Sequence, residues 1–166
     1  MLAFVRAIPP VALIPPAIVL IGIGDNMKIM LTVFVAMWPI VLNTADGVSE
    51  INQTARDTAG TFRLTAWQRM RYVTIPSLAP RTFAGMHTAL AFTVIVVIAT
   101  EYLAGTEGIG YLVQQAQLTF LIALMWAGII LLGIIGFLLN LLFLAVQRRA
   151  LYWMPDTRSA NSDIGL

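Results

Sequence analysis

Residues Phe120 to Val146 read FLIALMWAGIILLGIIGFLLNLLFLAV, a run with no charged residue and one strongly polar one, Asn140. As a helix, a run of this length reaches ~40 Å, enough to cross a ~30 Å hydrocarbon layer with some tilt. A soluble helix of that length keeps a polar face toward water, and this one has none. Reading the stretch as a transmembrane helix decides how the rest of the 166-residue chain is read.

Three further apolar stretches precede it. Residues 83–100 (FAGMHTALAFTVIVVIAT) form a second clear span, and Ile29 to Leu42 a shorter one with Pro39 inside it. Ala7 to Ile23 carries Pro9, Pro10, Pro15 and Pro16. Prolines that would break a soluble helix are tolerated in lipid where neighbouring helices bond the freed carbonyls. The expectation is an all-α polytopic integral membrane protein. About four spans are expected, near 4–24, 28–44, 82–102 and 119–147, the first either crossing fully or partly re-entrant. They make up a membrane domain of 1–155, with a polar tail at 156–166. Composition agrees: hydrophobic residues are 59% and charged residues 11%, against roughly 45–50% and about 25% in soluble domains. The N-terminal stretch lacks a small-residue cleavage site and does not read as a secretory signal.

Several chemistries are excluded. With no cysteine there is no disulfide, thiolate zinc site or cysteine nucleophile, and one histidine, His87, excludes a histidine pair. A net charge of +2 argues against nucleic acid as a partner. A P-loop needs G-x-x-x-x-G-K-[ST], and the single lysine, Lys28, comes directly after Met27. The expectation is therefore no enzyme activity and no cofactor in this chain; if transport uses ATP–Mg, another chain hydrolyses it.

With four spans, all nine arginines fall on one side: Arg6, then Arg56, Arg63, Arg69, Arg71 and Arg81 in the central segment, then Arg148, Arg149 and Arg158. The other side has Lys28 beside Asp25, and the loop with Glu107. The positive-inside rule makes the arginine side cytoplasmic, with both termini inside. Tyr152 and Trp153 suit an interfacial anchor just past the last span.

The central segment, about 45–81, is longer than a connector needs to be. Ser49 or Asn52 can start a helix through Arg56 and Ala59, ended by Gly60 or Thr61. Thr65-Ala-Trp-Gln68 fits a capping box. From there Trp67, Met70 and Val73 or Thr74 share one helical face, and Pro76 and Pro80 are expected to stop the helix. Two readings stay open: a basic amphipathic helix lying on anionic headgroups of membrane lipid, or a docking helix with Trp67 and Met70 as apolar anchors and Arg63, Arg69 and Arg71 as a polar rim.

The stretch from Asp57 to Pro76 resembles the "EAA" loop of permease subunits of bacterial ABC importers: E-A-A, three residues, G, nine residues, I-x-L-P. Asp57-Thr58-Ala59 stands for E-A-A and Val73-Thr74-Ile75-Pro76 for I-x-L-P. The family glycine falls on Arg63, so Gly60 is expected to supply the chain reversal. The opening RAIPPVALIPPAIVLIGIG, PIVLNTADGV, Glu101-Tyr-Leu-Ala-Gly, Gly108-Ile-Gly-Tyr-Leu and Arg148-Arg149-Ala-Leu-Tyr-Trp are similar to the nitrate/sulfonate/taurine branch. The resemblance covers about residues 3–155. It implies a MetI-like permease for a small anionic solute, paired with a second permease (as a homodimer), two ABC ATPases and a solute-binding protein. It implies an inner-membrane location, and ATPase coupling through Asp57, Thr58, Ala59, Gly60, Arg63, Trp67, Met70, Val73 and Pro76. Such permeases usually have six spans, and on this reading the chain is an N-terminally shortened member.

Other residues carry two readings each. Glu101, at the edge of the third span, is either a carboxylate at the outer interface, solvated or bonded to backbone, or part of a substrate path. Gly105 to Gly110 reads as an outer turn, with Gly108 and Gly110 as pathway or gate candidates, and Tyr111 to Gln117 as a short helix dipping into that face. Pro15 and Pro16 are the other gate candidates, in a helix that bends or is simply packed. His87 reads as a packing residue before a proton relay, and Asn140 as a bond across helices. Gly128, Gly133 and Gly136 admit a close helix, within the chain or from a second copy. A self-contained secondary transporter would need an inverted repeat or intramembrane charge pairs, a membrane enzyme would need clustered His, Asp or Glu, and a non-transporting scaffold or anchor is the remaining alternative.

Overall fold

The computed structural model describes residues 9–153. Residues 4–8 of the first expected span, with Arg6, and the expected polar tail 156–166, with Arg158, lie outside the described residues. A 3-10 turn (Pro10–Leu13) leads into α1 (Ile14–Ile21). Next come α2 (Asp25–Ser49), α3 (Gln53–Thr61), α4 (Ala66–Arg69), a π turn (Met70–Thr74), α5 (Ile75–Ala104), α6 (Ile109–Leu118) and α7 (Ile122–Ala150). No strand occurs among the described residues.

Among the described residues three helices are long and apolar enough to cross a membrane: α2, the rod running from Ala66 through Ala104, and α7. The sequence reads as four spans. The described part of the first is the apolar helix Pro10–Ile21, which at ~18 Å does not cross by itself. Its prolines begin helices rather than bend one. Pro15 and Pro16 occupy the first turn of α1, where the missing N–H has no intrahelical partner to lose.

A departure from the sequence reading concerns Pro76 and Pro80, which do not stop the helix. The 39 residues from Ala66 to Ala104 are continuous, ~58 Å of helix. The π turn absorbs the first proline: Ile75 N–H bonds back to Met70 O, one residue further than in an α-helix, and Pro76 then falls in the first turn of α5. Pro80 removes one bond inside α5, a loss that a membrane helix tolerates when neighbours are packed against it.

That neighbour is α2, which runs antiparallel to α5. Thr44 and Thr82 share a hydroxyl–hydroxyl hydrogen bond of 3.1 Å. Gly85 is buried against Pro39, and a Cβ there would lie 2.7 Å from Pro39 O; only glycine permits so close an approach of two backbones. Pro39 itself lies inside α2, and Asn43 Nδ2 donates to its carbonyl at 2.8 Å. Towards the other end, Ile14, Ala17, Met27, Leu31, Val35 and Val96 form the apolar core shared by α1, α2 and α5.

The last helix, α7, lies against α5 through Phe83 and Phe143 and against α6, where Val113 covers Gly128. Gly133 and Gly136 face open space. Most of the α7 surface, including Ile130, Phe137, Leu138 and Leu142, is bare apolar side chain. Apolar surface on that scale belongs against lipid or further helices, not water.

Candidate functional site

The central segment is built from local rules that largely obey the sequence. Asn52 caps α3, its side chain accepting from Thr54 N–H at 2.9 Å, and α3 ends at Thr61. Asp57 is exposed on α3, accepting from Gln53 Nε2 at 3.0 Å. Thr58 turns its hydroxyl back to Thr54 O, and Ala59 is buried at 3% exposure.

The reversal after α3 does not use Gly60, which stays inside the helix. Arg63 makes it, with φ 49°. Leu64 N–H donates to Ala59 O at 3.1 Å and Arg63 N–H to Gly60 O at 3.0 Å. This is the paired bonding of a Schellman motif, in which the left-handed residue is usually glycine. The position that holds glycine in the resembling loop is thus left-handed here, and the chain accepts the strain of a side chain at it.

The capping box opens α4 as its residues require: Thr65 N–H donates to Gln68 Oε1 at 2.9 Å and Gln68 N–H to Thr65 Oγ1 at 3.4 Å. The single face expected of Trp67, Met70 and Val73 is split. Trp67 is 74% exposed and Met70 half-exposed, whereas Val73 turns into a cleft with Thr58, Ala59, Leu64 and Tyr72. The π turn adds one residue to the helical register, which rotates the side chains beyond it by about 100°. Pro76 is partly buried at the start of α5. Two residues missed in the sequence are also exposed: Phe62 at 74% and Tyr72 at 68%, both at the rim of the cleft that holds Val73. Aromatics within an arginine-rich, otherwise polar stretch were the available signal.

Both arms of the segment return to the end of α2. Arg81 Nε donates to Glu50 Oε2 at 2.7 Å and Arg81 Nη2 to Glu50 Oε1 at 2.6 Å, a bidentate pair with each side chain about half exposed. Arg56 Nη2 donates to Val48 O at 2.8 Å, satisfying a carbonyl of the last turn of α2.

The opposite end of the bundle brings Glu101, Gly108 and Gly110 together. Glu101 Oε2 accepts from Gly110 N–H at 2.9 Å. The carboxylate thus lies at the start of α6, where its charge complements the helix dipole. Gly108, at φ 107°, lies directly over that carboxylate. Tyr102 hydroxyl bonds Gln117 at the far end of α6, so α6 is tied to α5 at two points. Pro15 and Pro16 are exposed on α1. A cavity of about 440 Å³ opens beside Pro10, Leu13, Trp38, Asn43, Asp46 and Phe92. Among the described residues no group of three His, Asp or Glu is placed to hold a metal ion.

Comparison with known proteins gives concordant matches. The family model described as "Binding-protein-dependent transport system inner membrane component" matches residues 1–152. The chain is 29% identical over 153 residues to the taurine transport system permease protein TauC of Escherichia coli (strain K12), covering 92% of this chain and 56% of that protein. It is 30% identical over 135 residues to the nitrate import permease protein NrtB of Synechocystis sp., covering 81% and 49%. It is likewise 30% identical over 146 residues to the bicarbonate transport system permease protein CmpB of Synechococcus elongatus, covering 87% and 52%. The chain thus spans about half the length of these curated relatives.

Proposed function

Since the chain belongs to the family of binding-protein-dependent transport system inner membrane components, we propose that it serves as a permease subunit of an ATP-driven ABC importer. It lines the translocation pathway for a small solute carrying an acid group, the chemistry common to the taurine, nitrate and bicarbonate named in its relatives. It works with a second permease, most simply a copy of itself, with a solute-binding protein and with a separate ATPase. The arginine-bearing end faces the cytoplasm, in keeping with the positive-inside rule. The chain does no covalent chemistry.

The observation that carries this reading is the set of exposed apolar side chains on the central segment. Phe62, Trp67, Met70 and Tyr72 stand out from the body of the protein, with Arg63, Arg69 and Arg71 exposed among them. Apolar anchors inside a cationic rim suit a protein partner that covers them. Asp57, Thr58, Ala59 and Gly60 lie in α3, Arg63 at its turn, and Val73 and Pro76 at the join to α5. Anything bound at Trp67 therefore pushes on one end of a continuous helix whose other end is Ala104. Glu101, Gly108 and Gly110 hold the turn at that far end, where α6 meets α5.

Affinity purification from mild detergent, with mass spectrometry of the co-purified proteins, tests the reading. An ABC ATPase is expected with the parent chain. The change Trp67→Asp weakens its capture by placing an unpaired charge in an apolar contact. Recovery of no ATPase from the parent, under conditions that preserve other importers, overturns the function. Undiminished capture by the variant overturns the docking face.

A further inference from the structure

Resting on the permease reading above, we infer that Glu50 and Arg81 form a positioning pair that makes α2 move with the central segment. Glu50 is the C-cap of α2, the end of a helix where a negative charge is opposed by the dipole. Local preference would put a cation there. The carboxylate is instead stabilised from 31 residues away by both nitrogens of one Arg81 guanidinium edge. A side chain placed against its local preference and bonded bidentately fixes orientation as well as distance.

The connectivity gives that orientation its use. From Ala66 the chain runs into α5 without a break, so a push at Trp67 reaches α5 directly. α2 has no such direct join: it meets α5 sideways, close at Gly85 and hydrogen-bonded at Thr44–Thr82, and meets the central segment at its last turn. Between Glu50 and Gln53 the chain is a short non-helical link, which transmits little by itself. The last turn of α2 is gripped by two arginines: Arg56 from α3 on Val48 O, and Arg81 from α5 on Glu50. Gly47 lets this happen, since the Arg81 stem packs against its bare Cα, with a would-be Cβ only 2.9 Å from Arg81 Cβ. At half exposure the ion pair adds little to stability. Its role is mechanical.

The chain has no cysteine, so single-cysteine reporters can be placed at will. Ile29→Cys reports the far end of α2 and Leu103→Cys the far end of α5; both side chains are exposed. The complex with its co-purifying ATPase is reacted with a maleimide, with and without ATP plus vanadate. In the parent, nucleotide changes the reaction rate at both reporters. In Glu50→Gln and in Arg81→Ala the change is reduced at Ile29→Cys and kept in full at Leu103→Cys, while ATPase capture is unaltered. The exchanged pair Glu50→Arg with Arg81→Glu restores the response at Ile29→Cys. A response undiminished at Ile29→Cys in the single variants overturns the inference, as does reduction at both reporters or failure of the exchanged pair. Absence of an ATPase from the parent complex counts instead against the permease reading.

Discussion

His87 Nε2 lies 2.6 Å from Asn140 Oδ1, and this hydrogen bond ties α5 to α7. Phe143, on the same helix as Asn140, stacks on the imidazole at a centroid distance of 5.4 Å. The partners are the chain's one histidine and the one strongly polar residue of its most apolar stretch. In hydrocarbon a carboxamide with no partner is costly. The pair therefore fixes both the rotation and the height of α7 on α5, which apolar side chains alone specify poorly.

His87→Leu and Asn140→Leu should each weaken the α5–α7 contact, and the double variant should cost less than the two together. The coupling is expected at about 0.6–1.7 kcal/mol, the range for side-chain hydrogen bonds between membrane helices. A double-mutant cycle on denaturant unfolding in detergent measures it. Strict additivity contradicts the pairing.

Arg63→Gly relieves a left-handed side chain at the Schellman position and should stabilise the turn by about 1 kcal/mol. Amide exchange at Leu64 then slows about fivefold in the isolated chain. Unchanged or faster exchange contradicts a left-handed Arg63. The same variant removes a cation from the exposed segment, so its effect on ATPase capture is a separate measurement.

Much of the central segment was legible because its signals are local. Asn52 and the Thr65–Gln68 box act within four residues of themselves, and each cap forms as the sequence dictates. The reversal at Arg63 was not legible. The usual marker of a left-handed residue is glycine, and Arg63, like Phe120 at the end of α6, adopts that conformation without being one. The run through Pro76 was hidden for a related reason: a π turn has no sequence signature of its own, and proline two residues after it reads as a helix stop. Among the gate candidates, Glu101, Gly108 and Gly110 converge because the turn between α5 and α6 is short. Pro15 and Pro16 are gate candidates for a different reason, a helix that bends, and a proline in the first turn of α1 carries no signal of what it faces.

Glu101→Ala leaves the buried Gly110 N–H without its acceptor and should destabilise the α5–α6 junction by about 1–3 kcal/mol. Glu101→Gln keeps an acceptor oxygen and loses only the charge on the helix dipole, about 0.3–1 kcal/mol. Thermal unfolding in detergent ranks the two. Equal effects contradict the backbone-bonded role.

Gly85→Ala places a methyl group 2.7 Å from Pro39 O and 3.0 Å from Ile40 Cα. Both are backbone atoms that cannot step aside, so α2 must move, at a cost of about 1–3 kcal/mol. Gly133→Ala, with nothing within 4 Å, should be neutral or mildly stabilising. The two variants make the same chemical change, and equal unfolding midpoints contradict the close α2–α5 approach.

The account as a whole requires the exposed stretch around Phe62 and Trp67 to lie in the cytosol, where an ATPase can reach it. Phe62→Cys introduces the only cysteine of that variant chain, at a position whose parent side chain is exposed. A membrane-impermeant maleimide is applied to intact cells and, separately, to inverted inner-membrane vesicles. The expected result is labelling in the inverted vesicles and none in intact cells. Labelling of intact cells from outside would put the arginine-bearing segment on the wrong side of the bilayer and contradict the account.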